Sequence, residues 1–170
     1  MINLKNECYT PAYFVDPIRE FANGFDFDPF SCVLANQTIK AKHFLSIDQD
    51  GFDFIPWSGF WFDAKTIWCN PPYSTQDLKK AVELIIANRK EKEVYLLLNT
   101  DNSTANYKLC LHHCQAVMLV KDRIKFYRPY ADFPSQQNNR SQSLFFFGSM
   151  NRAIEFKAEL SHLGKVFIND

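Results

Sequence analysis

Residues 66–75 read TIWCNPPYST, and the break inside this stretch decides how the chain is built. An apolar, β-prone run ending at Cys69 meets Asn70 and then two consecutive prolines, Pro71 and Pro72, followed by Tyr73. Proline lacks a backbone N–H and fixes its own φ, so the pair cannot continue a central strand. The stretch predicts a buried strand whose carboxyl end leaves the sheet at Asn70, with a stiff backbone and carbonyls that have no ladder partner. Such a segment serves either as a turn or as a rigid set of hydrogen-bond acceptors. The flanking sequence has to choose.

Outward from it, the chain alternates strands and helices. Upstream, CYTPAYFVDPIREFANG reads as a short helix opened by Thr10 and Pro11, then a second capped by Asp16 with Pro17 at its first position and ended by Gly24. GFDFDPFS alternates like a strand and stops at Asp28-Pro29. Residues 31–41 suit a helix, KHFLSI a second strand, and DQDGF (residues 48–52) a loop. Downstream, DLKKAVELIIANRK has helical spacing, and EVYLLLN is a near-continuous apolar strand of the kind buried on both faces of a parallel sheet. AVMLV is another buried strand, KDRIKFY alternates like a half-exposed one, and residues 128–143 form a long polar loop before the strand LFFFG. A last helix (residues 151–163) stops at Gly164, and KVFI reads as a final edge strand. The pattern predicts an α/β fold: an open, mostly parallel sheet with a C-terminal β-hairpin and helices on both faces. Ligands in such sheets sit beyond the carboxyl ends of the strands. Three polar clusters fall there: Asp28, residues 70–73, and residues 99–101.

Composition bounds the function. The 170 residues fit one domain over 1–170, with 46% apolar and 22% charged residues and 17 Phe for the core. Net charge is zero, so bulk charge points to no nucleic acid, although a local basic face is compatible with it. Five cysteines lack a disulfide-scaffold spacing, and the polar start MINLKNECYT has no apolar leader core, so reduced thiols and a cytoplasmic protein are expected. No apolar run approaches the ~20 residues of a membrane span. CLHHC (residues 110–114) reads as a helix burying Cys110 and Cys114 one turn apart, not as a zinc site, because no second ligand pair accompanies it.

A Pro-Pro pair arises by chance about 0.4 times in a chain of this length at ~5% proline, so the pair alone proves little. Asn before it, Tyr after it and a buried strand leading into it are further conditions. The Asn70 side-chain oxygen and the Pro71 carbonyl match a planar amino group with two N–H donors, and the Tyr73 ring can stack on the base carrying it. The NPPY stretch resembles the catalytic motif of amino-group methyltransferases that use S-adenosylmethionine. YTP, FDPFS, DGF, WCNPPY, LLLNTD and DRIKF, in this order, resemble the phage-borne DNA N6-adenine methyltransferase (Dam) family over most of the chain.

The resemblance implies a Rossmann-like fold and methyl transfer from S-adenosylmethionine to the N6 amino group of adenine in DNA, the base being flipped out of the duplex. It implies Asn70, Pro71, Pro72 and Tyr73 as the catalytic group. It places Asp28, with Pro29 and Ser31, near the methionine part of the cofactor, and Thr10 and Pro11 against that end. Asp50 would accept from the adenosine amino group with Phe52 against its ring, and Asp48 is a second candidate, for the ribose hydroxyls. DPFSCV lacks the glycines of the general methyltransferase loop. Read singly, Asp28-Pro29 is equally turn chemistry, residues 48–51 a plain loop, Thr10-Pro11 a helix start and Tyr73 surface packing.

DNA contacts are expected from Lys121, Arg123 and Lys125 on one face, with Arg128 and Arg140, and base-edge contacts from the Gln- and Asn-rich loop; a charge-protected edge strand is the plain alternative. A monomer or homodimer acting on double-stranded DNA, without a separate recognition domain, is expected. The rivals are methylation of adenine in RNA or of a protein glutamine amide, and an inactive methyltransferase fold that only binds nucleic acid.

Overall fold

The computed structural model describes residues 8–46, 54–73, 75–128 and 139–169. The chain forms α1 (Ala12–Phe21), β1 (Phe27–Asp28), α2 (Val33–Ile39), β2 (His43–Phe44), α3 (Phe54–Asp63), β3 (Thr66–Cys69) and α4 (Thr75–Asn88). There follow β4 (Glu93–Asn99), α5 (Ala105–His113), β5 (Ala116–Val120), β6 (Gln142–Phe147), α6 (Met150–Leu160) and β7 (Gly164–Ile168). The strands make one sheet in the order β2-β1-β3-β4-β6-β5-β7. β2, β1, β3 and β4 are parallel neighbours, and β6 inserts antiparallel between β4 and β5. β5 therefore runs with β4. The antiparallel β5–β6 pair is the expected hairpin, and β7 returns through α6 to the outer side of β5 as an edge strand.

Why these runs become central strands is visible in their side chains. Along β3 and β4, Trp68, Tyr95 and Leu97 enter one core, with α1, α2 and α6 above it. Ile67, Cys69, Val94, Leu96 and Leu98 enter the other, against α3, α4 and α5. Two buried faces require an unbroken apolar run, which the period-2 geometry of a strand then divides between them. Phe21, Tyr95, Phe146 and Phe156 pack edge-on and stacked at 5.2–6.5 Å between centroids. Truncating one such buried ring to alanine costs about 3–5 kcal/mol.

Three expectations are corrected. Residues 12–21 form one helix with Pro17 inside it, not two helices meeting at Asp16. The buried stripe Phe14, Val15, Ile18 and Phe21 runs unbroken past the proline, and its burial outweighs one lost backbone hydrogen bond. Asp16 bonds Arg19 instead of capping, at 2.7 Å. Residues 121–126 are not a strand: Ile124 and Phe126 are buried between exposed neighbours, yet the Lys121 N–H goes to Leu163 O (3.0 Å) and the Lys125 N–H to the Tyr13 hydroxyl (3.0 Å). Gln142 and Ser143 are buried members of β6, not loop residues, because Asn99 and Leu98 pair opposite them. Cys110 and Cys114 are buried one turn apart, as their spacing predicts. Among the described residues no helix is long and apolar enough to cross a membrane.

Candidate active site

β1, β3 and β4 are parallel, so the residues at their carboxyl ends lie along one edge of the sheet. Those residues are Asp28, Asn70 and Asn99. β3 stops pairing at Cys69, opposite Leu96, and the prolines keep residues 70–73 out of the ladder. Asn70 Nδ2 donates to Thr10 Oγ1 at 3.4 Å. Thr10 is 4% exposed and enters from the other direction, directly before Pro11, which stands at the N-cap of α1 in extended conformation. The contact turns the Asn70 amide so that its oxygen, not its nitrogen, faces Tyr73.

Tyr73 is 38% exposed as a residue, while its hydroxyl reaches buried partners. The hydroxyl lies 3.2 Å from Asn70 Oδ1, 3.2 Å from Leu97 O and 3.3 Å from Gln142 Oε1. Burial first, and then the Cys8 sulfur, push the phenol well above its ordinary range. Tyr73 is thus a neutral donor with an accessible ring, not a base. Gln142 Nε2 donates to Asn99 Oδ1 at 2.7 Å, which ties the end of β4 to the start of β6.

At the end of β1, Asp28 is 2% exposed, and its Oδ1 accepts from the Phe30 N–H at 3.0 Å. Burial pushes its carboxyl up to about 7 against the restraint of the Phe30 N–H and the Ser31 side chain. Pro29 is buried beside it, and the Ser31 N–H reaches Leu45 O at 3.0 Å. Ser31 Oγ is buried, with no hydrogen bond of ordinary geometry among the described residues, and its side chain restrains the Asp28 carboxyl. A buried acid and a buried hydroxyl three residues on form a polar set suited to a ligand that brings a cation and hydrogen-bonding groups.

The structure brings Thr10, Pro11, Asp28, Pro29, Ser31 and residues 70–73 to this one edge. Asp48, Asp50 and Phe52 lie outside the described residues. Lys121, Arg123 and Lys125 are exposed and follow the carboxyl end of β5, on the same edge. Tyr127 pairs antiparallel with Tyr9, so Arg128 comes next to the segment that carries Thr10. Arg128 Nε is buried without a hydrogen-bond partner among the described residues. Arg140 is exposed just before β6, and most of the loop between these two arginines lies outside the described residues. Sequence reasoning missed Gln142 and the pairing of Thr10 with Asn70; two polar residues, Gln142 and Ser143, ahead of a Leu-Phe run were the available signal for the first.

A model of the DNA N-6-adenine-methyltransferase (Dam) family matches residues 3–165. The DNA N-6-adenine-methyltransferase of Haemophilus phage HP1 (strain HP1c1) is 29% identical over 142 residues, 81% of this chain and 76% of that protein.

Proposed function

The chain belongs to the DNA N-6-adenine-methyltransferase (Dam) family, and on that basis we propose that it methylates the N6 amino group of adenine in double-stranded DNA. S-adenosylmethionine is the donor in this reading, supplying an electrophilic methyl group on a sulfonium. A single catalytic domain over residues 1–170 carries both the donor and the base sites.

One observation carries the reading: Asn70, at the carboxyl end of a buried parallel strand, has its amide oriented by Thr10, with the Tyr73 side chain next to its oxygen. An adenine inside a duplex cannot reach this edge, so the base is turned out before reaction. Asn70 Oδ1 and the Pro71 carbonyl accept the two amino hydrogens. This pushes electron density onto the nitrogen and favours its pyramidal, nucleophilic form. The exposed face of Tyr73 stacks on the base and sets the direction of approach. The nitrogen–methyl bond forms as the sulfur–methyl bond breaks, and Asn70 stabilises the positive charge that grows on nitrogen until its proton leaves. No side chain has to act as a strong base before that point.

Asp28, Pro29 and Ser31 would hold the methionine end of the donor, with Thr10 and Pro11 packed against it. The buried acid at the end of β1, with the buried Ser31 hydroxyl beside it, supports this, since a cation beside Asp28 offsets the cost of ionising it. The test is transfer from methyl-tritiated S-adenosylmethionine to duplexes with and without adenine, to RNA and to total protein. Label retained only in adenine-containing DNA, and recovered as N6-methyladenine, is the expected result. Label in RNA or protein alone, or in none of the three, overturns the reading.

A further inference from the structure

We propose that Gln142 is a positioning residue for this reaction: it draws the Tyr73 hydroxyl hydrogen away from Asn70, leaving the Asn70 oxygen open to the substrate amino group. The inference rests on Asn70 being the acceptor proposed above. Tyr73 has one hydroxyl hydrogen, and three oxygens surround it at 3.2–3.3 Å: Asn70 Oδ1, Leu97 O and Gln142 Oε1. One hydrogen serves one of these well at a time. An Asn70 oxygen already engaged by Tyr73 is a poorer acceptor for a second donor.

The Gln142 side chain is built to compete. Its Nε2 donates to Asn99 Oδ1 at 2.7 Å and lies 3.5 Å from the Arg140 carbonyl, which can only accept. Both contacts want the amide nitrogen, so Oε1 is the atom turned to Tyr73. Register pairs Gln142 with Asn99 across β4 and β6, which makes the arrangement part of the ladder and not of a loop. Gln142 is 1% exposed, and a buried amide is costly unless its hydrogen bonds are made. Leucine or methionine would fill the space without that cost. Beside its donor to Asn99, what the amide adds here is an acceptor for Tyr73.

The test compares the parent with Gln142→Leu, Tyr73→Phe and the double variant on one adenine-containing duplex. Gln142→Leu is expected to keep the parental affinity for S-adenosylmethionine and the parental KM for the duplex, while kcat falls roughly tenfold, as for one lost uncharged hydrogen bond. The double variant is expected to transfer at the Tyr73→Phe rate, because without the hydroxyl there is no hydrogen for Gln142 to draw away from Asn70. Parental kcat in Gln142→Leu, or losses that multiply in the double variant, would overturn the proposal. If Gln142→Leu does not fold, Gln142→Met fills the same space with a more adaptable chain and carries the same expectations. Asn70→Ala separates the two levels. Full activity there removes the acceptor itself, whereas an inactive Asn70→Ala beside multiplying losses removes only the part assigned to Gln142.

Discussion

Asp26 and Asp28 stand two residues apart, and their surroundings push them in opposite directions. For Asp26, burial alone would raise the pKa, but the Lys42 ammonium and the Lys65 and Thr66 N–H groups hold it down to about 2. For Asp28, burial dominates and the carboxyl rises to about 7. The folded protein therefore holds a proton on Asp28 that the unfolded chain gives up near pH 4. Stability from this group is full below pH 4 and is lost as the pH climbs to about 7. Asp28→Asn keeps the contact to the Phe30 N–H and removes the charge. It should melt above the parent at pH 8, with the gap closing toward pH 4, as scanning calorimetry across that range would record. The same variant should bind S-adenosylmethionine more weakly above pH 7, where the parent offers a carboxylate to a cationic ligand. Equal affinity of parent and variant at pH 8 would remove Asp28 from the donor site.

At the scale of elements, β1 is short and shares one register pair with β3, Phe27 with Ile67. The Asp26 carboxylate supplies the missing ladder, accepting from the Lys65 N–H at 2.8 Å and the Thr66 N–H at 3.1 Å while Lys42 closes it at 2.7 Å. Asp26→Ala leaves two N–H groups short of a partner and should cost about 1–3 kcal/mol. The difference from the parent should shrink as the pH falls from 4 through about 2, where the parental carboxylate itself protonates. Denaturant melts at pH 7 and pH 2.5 would check both parts. How legible an element was in the sequence followed from what forms it. β3, β4, β5 and β6 were readable because strands buried on both faces must be apolar throughout. Residues 121–126 misled because alternation reports an extended chain with one buried side and says nothing of where its backbone bonds go. Pro17 misled because propensity is local, whereas the stripe it interrupts is stabilised by the packing of α1 on the sheet. At the candidate site, the place of Asn70 and Tyr73 beyond the end of a buried strand was legible from the prolines between them. Gln142 was not, since its role depends on a cross-strand partner 43 residues away.

Across the whole molecule, zero net charge means that any hold on a duplex must come from where the cations sit. Lys121, Arg123 and Lys125 extend along the edge that carries Asn70, and Arg140 stands at the entrance to β6. Changing Lys121, Arg123 and Arg140 together to alanine should weaken duplex binding at low salt. It should also flatten the plot of log affinity against log salt by about 0.9 for each phosphate no longer neutralised. An unchanged slope in a salt titration would place the footprint elsewhere. The central claim, that residues 70–73 are an acceptor site for an amino group and not a turn, is met most directly by Asn70→Ala. Single-turnover methyl transfer to adenine-containing duplex DNA is measured beside melting temperature and S-adenosylmethionine affinity. The acceptor role predicts transfer slowed roughly a hundred- to a thousand-fold in a protein whose fold and donor binding are unchanged. Transfer at close to the parental rate in a folded Asn70→Ala protein would contradict it.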